Sequence, residues 1–184
     1  MKLAIVVGHN ARAQGAVRPD TGESEFLWNS RLAAMIEEEA RRFHKIKVQT
    51  FFREHCGSYR REIAKVYGET DAWGADATVE LHFNSHHNPS ATGTETLSSG
   101  SKASLRFCEA LQDRMLYALG LRDRGTKVVR TGRGSASLIS GRAPAALIEP
   151  YFGSSPKGQA ATDEPAEMCT LARGILLAAE ETFL

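Results

Sequence analysis

The run Leu3-Ala-Ile-Val-Val7 is apolar at every position, with none of the alternation expected of a strand that has one wet face. Five residues are too few for a helix but fit a strand covered on both sides. Such a strand needs helices above and below it, and the rest of the chain offers them in alternation. Trp28, Leu32, Met35 and Ile36 recur at helical spacing after Ser24, predicting a helix over 24–43. Ile46–Phe52 reads as a second strand, Ser58–Trp73 as a second helix, and residues 75–83 as a third strand rich in Val, Thr, Leu and Phe. Residues 85–92 read as a loop and 93–97 as a short strand. A third helix starts at Ser101 and stops at Gly120. The Gly- and Arg-dense residues 122–135 read as a surface loop, whereas 136–139 and 145–149 are two further strand candidates. A last helix, capped by Thr162 or Asp163, runs to about residue 182.

Strands alternating with helices of these lengths predict a three-layer α/β/α domain around a mainly parallel, mixed sheet of about six strands. The 184 residues are expected to form one domain that buries about 70% of its unfolded surface. A net charge of +1 argues against nucleic-acid binding by bulk electrostatics. No apolar run approaches the ~20 residues of a membrane span. The three cysteines, Cys56, Cys108 and Cys169, form no C-x-x-C pair and suggest neither a disulfide framework nor a cysteine metal site. Cys108 and Cys169 fall on apolar helix faces, as core residues do.

The chemistry-bearing residues sit where the strands end. His9 follows the first strand, His82 closes the third, Glu149 closes the strand at 145–149, and Glu25 opens the first helix. In α/β sheets such strand ends converge on one rim. Two imidazoles and a carboxylate are a common donor set for hydrolytic zinc, and a further carboxylate outside that set suits a general base. Each residue also has a plainer reading: a turn histidine, or a glutamate favoured by the helix dipole. Glu149 is the least easily explained that way, because it ends a buried strand where an unpaired charge is costly. The adjacent His86 and His87 lie in a polar loop and read as solvated.

Seven segments in order resemble the zinc-dependent N-acetylmuramoyl-L-alanine amidases, the cell-wall hydrolases of bacteria and phages. They are Ile-Val-Val-Gly-His9, Glu25-Phe-Leu-Trp-Asn29-Ser-Arg-Leu-Ala, Gln49-Thr50-Phe-Phe-Arg53, Gly74-Ala-Asp-Ala-Thr-Val-Glu80-Leu-His82-Phe-Asn84-Ser, Gly93-Thr-Glu95-Thr, Leu119-Gly-Leu-Arg-Asp-Arg124-Gly125 and Pro144-Ala-Ala-Leu-Ile-Glu149. The resemblance implies Zn²⁺ bound by His9, Glu25 and His82, with Glu149 as general base and acid. It implies hydrolysis of the amide between N-acetylmuramic acid and L-alanine in peptidoglycan. Asn29, Asn84 and Arg124 match further motif positions and become candidate substrate or supporting residues.

The chain also departs from the family pattern. Asn10-Ala11 stands where a glycine pair is usual, Glu80 where the family typically has Ser, and Pro150-Tyr151 follows the catalytic strand. Because Glu80 and His82 share a strand face, Glu80 is a candidate to back the metal-binding histidine.

Met1-Lys2 leads directly into a strand, without the features of a signal peptide. The corresponding expectation is a monomer made in the cytoplasm, endolysin-like, acting on the wall once a holin-type partner releases it. No separate wall-binding domain is expected. Two other readings fit the same residues: a zinc amidohydrolase or peptidase acting on stem peptides, and a wall-binding module without catalysis.

Overall fold

The computed structural model describes residues 1–184. Six strands, β1 (Lys2–Val7), β2 (Lys47–Phe52), β3 (Ala77–Leu81), β4 (Thr94–Ser98), β5 (Asp123–Val128) and β6 (Ala145–Glu149), form one sheet in the order β2-β1-β3-β6-β4-β5. Strands β2, β1, β3 and β6 are mutually parallel; β4 runs against β6, and β5 follows β4. The predicted three-layer mixed fold is therefore what forms.

The pleat explains the continuous apolar run at the start. Leu3, Ile5 and Val7 join a core of 27 buried residues with Trp28, Leu32, Ile36, Phe107, Leu111 and Ile175. Ala4 and Val6 point the other way, into a second cluster with Phe51, Ile63, Val66 and Tyr67. The first face is covered by α1 (Glu25–Ala40), α3 (Lys102–Leu119) and α6 (Pro165–Phe183), the second by α2 (Tyr59–Trp73) and α4 (Ser135–Ser140). Ser24, Ser58 and Ser101 cap α1, α2 and α3 by accepting from the backbone N–H three residues on.

Several expectations are corrected. The residues read as a loop at 122–135 contain β5, an edge strand whose polar sequence Asp-Arg-Gly-Thr-Lys-Val carries no apolar alternation because most of it faces solvent. The strand expected at 136–139 is instead α4; four such residues cannot distinguish the two periods. The sheet thus has its six strands, one of them from a different segment. The first helix ends at Ala40, with Arg41–Phe43 in a turn. The last begins after Glu164 rather than Thr162 or Asp163. Pro165 occupies its first turn, and Glu164 and Glu167 form a reciprocal capping box. A short helix, α5 (Pro156–Ala160), had no clear sequence signal. Cys108 is buried, as expected, but Cys169 is only half-buried, with its thiol 3.4 Å from Glu39 Oε1.

Candidate active site

Three elements deliver the predicted histidine and glutamate donors to one point. His9 leaves β1 in the left-handed region at φ 66°, uncommon for a residue with a Cβ. Its neighbour Gly8 makes the approach possible. A Cβ there would sit 2.4 Å from the Leu81 carbonyl oxygen and 2.5 Å from His82 Cε1. Glu25, the first residue of α1, places Oε2 3.0 Å from His9 Nε2 and Oε1 2.8 Å from His82 Nδ1. The two imidazoles meet edge-on with centroids 5.1 Å apart.

The backbone holds this carboxylate in place. The N–H of Ala16 donates to Glu25 Oε2 at 3.2 Å and that of Phe83 to Oε1 at 3.2 Å. The loop before α1 closes over the same atoms: a Cβ at Gly15 would meet Glu25 Oε2 at 2.6 Å and His9 Nε2 at 2.7 Å. Arg18, buried in that loop, donates to Thr162, Asp20 and Asp163, and its guanidinium lies 5.7 Å from the Tyr151 ring centre. Sequence alone did not single out Arg18, because an arginine in a polar loop is ordinarily solvent-exposed.

His82 is gripped on both sides. Its second nitrogen, Nε2, lies 3.1 Å from Oε1 of Glu80, and Tyr67 donates its hydroxyl to Glu80 Oε2 at 2.9 Å. The expected alignment of Glu80 behind His82 is present. Burial opposes charge on His82, but Glu25 and Glu80 outweigh it and hold the imidazole protonated well above the usual histidine range. Burial also raises the Glu25 carboxyl, yet hydrogen bonds from His82 and His9 bring it down to about 2.

Glu149, at the C-terminal end of β6, keeps Oε2 buried without a hydrogen-bond partner. Burial pushes its carboxyl up to about 8; the charges of Glu25 and Glu95 add to that, and His82 opposes it.

The other predicted positions divide. Asn84 donates to Glu95 Oε1 at 3.1 Å, while Arg124 and Lys127 each reach Glu95 Oε2 at 2.6 Å. Asn84 and Arg124 therefore share a carboxylate on the strand next to Glu149. Asn29, one turn beyond Glu25, points its amide to the Leu81 carbonyl at 3.0 Å and fastens α1 to β3. His86 and His87 are exposed, stacked on one another 4.1 Å apart and outside the donor cluster. Lys127 belongs to β5, whose polar sequence reads as loop, so the sequence does not reveal its contact with Glu95. The role of Asn10 was also illegible: its side chain accepts from the N–H groups of Arg12 and Ala13 and donates to Glu62, bracing the turn after His9.

The donor chemistry fits a divalent zinc ion. The offered atoms of His9, Glu25 and His82 lie within 4.8 Å of one another. The set has two imidazole nitrogens and one carboxylate, and the far nitrogen of His82 is held by a carboxylate, as ligating histidines usually are.

A family model described as N-acetylmuramoyl-L-alanine amidase matches residues 3–181. No curated protein sequence matches the chain. Among solved structures, the chain is similar to the catalytic domain of CwlV, an N-acetylmuramoyl-L-alanine amidase from Bacillus (Paenibacillus) polymyxa var. colistinus. The two share 24% identity over 98% of this chain and 97% of that one, with a TM-score of 0.83. An N-acetylmuramoyl-L-alanine amidase from Clostridium difficile 630 shares 21% identity over 98% and 95%, with a TM-score of 0.83. The catalytic domain of the CD27L endolysin targeting Clostridia difficile shares 22% over 96% and 97%, with a TM-score of 0.80. At these identities the structural likeness speaks for the fold.

Proposed function

The chain belongs to the N-acetylmuramoyl-L-alanine amidase family, and from that premise we propose that it is a zinc-dependent hydrolase of the amide joining N-acetylmuramic acid to L-alanine in peptidoglycan. His9, Glu25 and His82 are the proposed zinc ligands and Glu149 the group that moves the proton. The observation that carries this reading is the meeting of three donors from β1, α1 and β3, near a glutamate at the end of β6 whose Oε2 is buried without a hydrogen-bond partner.

Zinc bound there supplies Lewis-acid polarisation of the scissile carbonyl and makes water nucleophilic at neutral pH. The protein's own groups do the rest. Glu25, fixed by the N–H groups of Ala16 and Phe83, contributes the negative charge among the three donors. Glu149 accepts the proton of the attacking water through its unbonded oxygen. It then returns that proton to the alanine nitrogen as the carbon–nitrogen bond breaks, leaving a free amine and the lactyl carboxyl group, whose remaining proton passes to solvent. In the metal-free chain, burial keeps Glu149 protonated near neutrality; a dication in the neighbouring site favours the carboxylate that the base role requires.

An endolysin-like use belongs to the same reading, supported by the likeness to the CD27L catalytic domain. Cell lysis that depends on a holin-type permeabilising partner is its expected behaviour. Lysis by the protein expressed alone, in intact cells, would count against it.

The deciding experiment is mass spectrometry of purified peptidoglycan after digestion, with and without a chelator. Stem peptides with a free N-terminal alanine, absent when zinc is removed, are the expected products. Cleavage inside the stem peptide would move the enzyme to a zinc peptidase, and intact peptidoglycan in the presence of zinc would reject the proposal.

A further inference from the structure

Glu80 is a carboxylate in the middle of the molecule, 1% exposed, on a central strand. Its hydrogen-bond partners are the Tyr67 hydroxyl at 2.9 Å and His82 Nε2 at 3.1 Å; neither Lys nor Arg pairs with it. A buried anion without a cation is costly. The geometry leaves one route to compensation, positive charge delivered through the His82 ring. Nδ1 of that ring faces Glu25 and the donor cluster, so the ring lies between Glu80 and the place a cation would occupy.

We propose that Glu80, held by Tyr67, is a positioning residue that orients His82 toward zinc and sets the affinity of the site. It acts in two ways. By accepting from Nε2–H it fixes the tautomer that leaves the Nδ1 lone pair free for the metal, and it limits ring rotation. Its charge also adds to that of Glu25, acting on the ion through the His82 ring that lies between them. Tyr67 fixes the far oxygen of Glu80 from α2, on the opposite side of the sheet from α1. The support for His82 therefore comes from the helix layer that carries none of the three ligands.

This inference rests on the zinc-site reading above, and its test reads metal affinity rather than cleavage. Zinc dissociation constants are measured by competition with a chromogenic chelator on the full chain, for wild type, Glu80→Gln and Glu80→Ala. Folding is checked by melting in excess chelator. Gln keeps an acceptor for Nε2–H and loses the charge; Ala loses both. A weakening of about 10-fold for Gln and up to about 100-fold for Ala is expected. A shift of the visible absorption bands of the cobalt-loaded Glu80→Ala protein is expected as well, since they report ligand geometry. Affinities of both variants within twofold of wild type overturn the inference while leaving the zinc site intact. Failure of the wild type to bind one zinc ion overturns the underlying site assignment instead. If neither Glu80 variant folds, Tyr67→Phe decides. Its loss of one hydroxyl is expected to weaken zinc at least threefold, and unchanged affinity overturns the role given to Glu80.

Discussion

Glu149 on β6 and Glu95 on β4 stand directly opposite each other across an antiparallel pair, yet only one of them is neutralised. Glu95 takes Arg124 and Lys127 on one oxygen and the Asn84 amide on the other. Glu149 keeps a buried oxygen without a partner. Neighbouring carboxylates in unequal surroundings are how a protein separates one titrating group from one permanent anion.

The pH dependence of stability follows from that asymmetry. Glu149 has an ordinary value of 4.5 and is pushed up to about 8 by burial in the folded chain. Between those values the folded state holds a proton that the unfolded state has released, so the Glu149 contribution erodes stability as pH rises from 4.5 and levels off above about 8. Glu149→Gln cannot ionise and removes the effect. In chelator, its melting temperature should match wild type near pH 4 and exceed it increasingly toward pH 8.5. A difference on the order of a few kcal/mol is expected at the upper end. Parallel melting curves at all pH values would contradict the buried, unpaired state of Glu149.

Ligand and base should separate cleanly in zinc content. His82→Ala and Glu25→Gln are expected to purify without stoichiometric zinc and without amidase activity. Glu149→Gln should keep one zinc ion and lose activity by at least about 100-fold, the usual scale for a missing general base. Elemental analysis beside a peptidoglycan assay checks both at once. Activity surviving in Glu149→Gln would reassign the proton transfer.

Gly15 offers a steric test of the loop over the proposed ligands His9 and Glu25. With φ at 80° and no room beside Glu25 and His9, Gly15→Ala forces the loop or the ligands to move. Zinc affinity should fall by an order of magnitude or more, with a smaller effect on the melting temperature of the metal-free protein. Chelator competition and thermal melts report the two quantities separately.

Arg18→Met keeps the buried volume but removes the contacts to Thr162, Asp20 and Asp163. The two aspartates remain partly in water, so the loss should be about 1–3 kcal/mol. For a chain of this size that lowers the melting temperature by roughly 2–4 °C per kcal/mol. Hydrogen exchange should speed up in residues 10–24 before it does in the sheet.

How far the sequence carried the reading depended on burial. Leu3–Val7 and Ala145–Ile148 announced themselves because both of their faces are covered. Ser24, Ser58, Ser101 and Gly120 marked helix ends through caps that the structure uses. β5 escaped because an exposed edge strand has no apolar signature to show, and α4 because its four-residue apolar window suits either period. Within the site, His9, Glu25, His82 and Glu149 were legible from their places at element ends. Arg18, Lys127 and the Asn10–Glu62 contact were not, since each depends on a pairing between distant segments that only the fold creates.

The hydrogen bond between Tyr67 and Glu80 joins residues 13 positions apart on different layers, and Asn10 reaches Glu62 on that same helix. Two of the three departures from the motif resemblance, at 10 and at 80, are therefore braced by α2. Neither substitution is neutral on its own: Ser at 80 would remove the carboxylate that accepts from the Tyr67 hydroxyl, and Phe at 67 would leave one oxygen of a buried carboxylate without its donor. A helix that carries none of the three donors thus sets the shape of the pocket in which they meet.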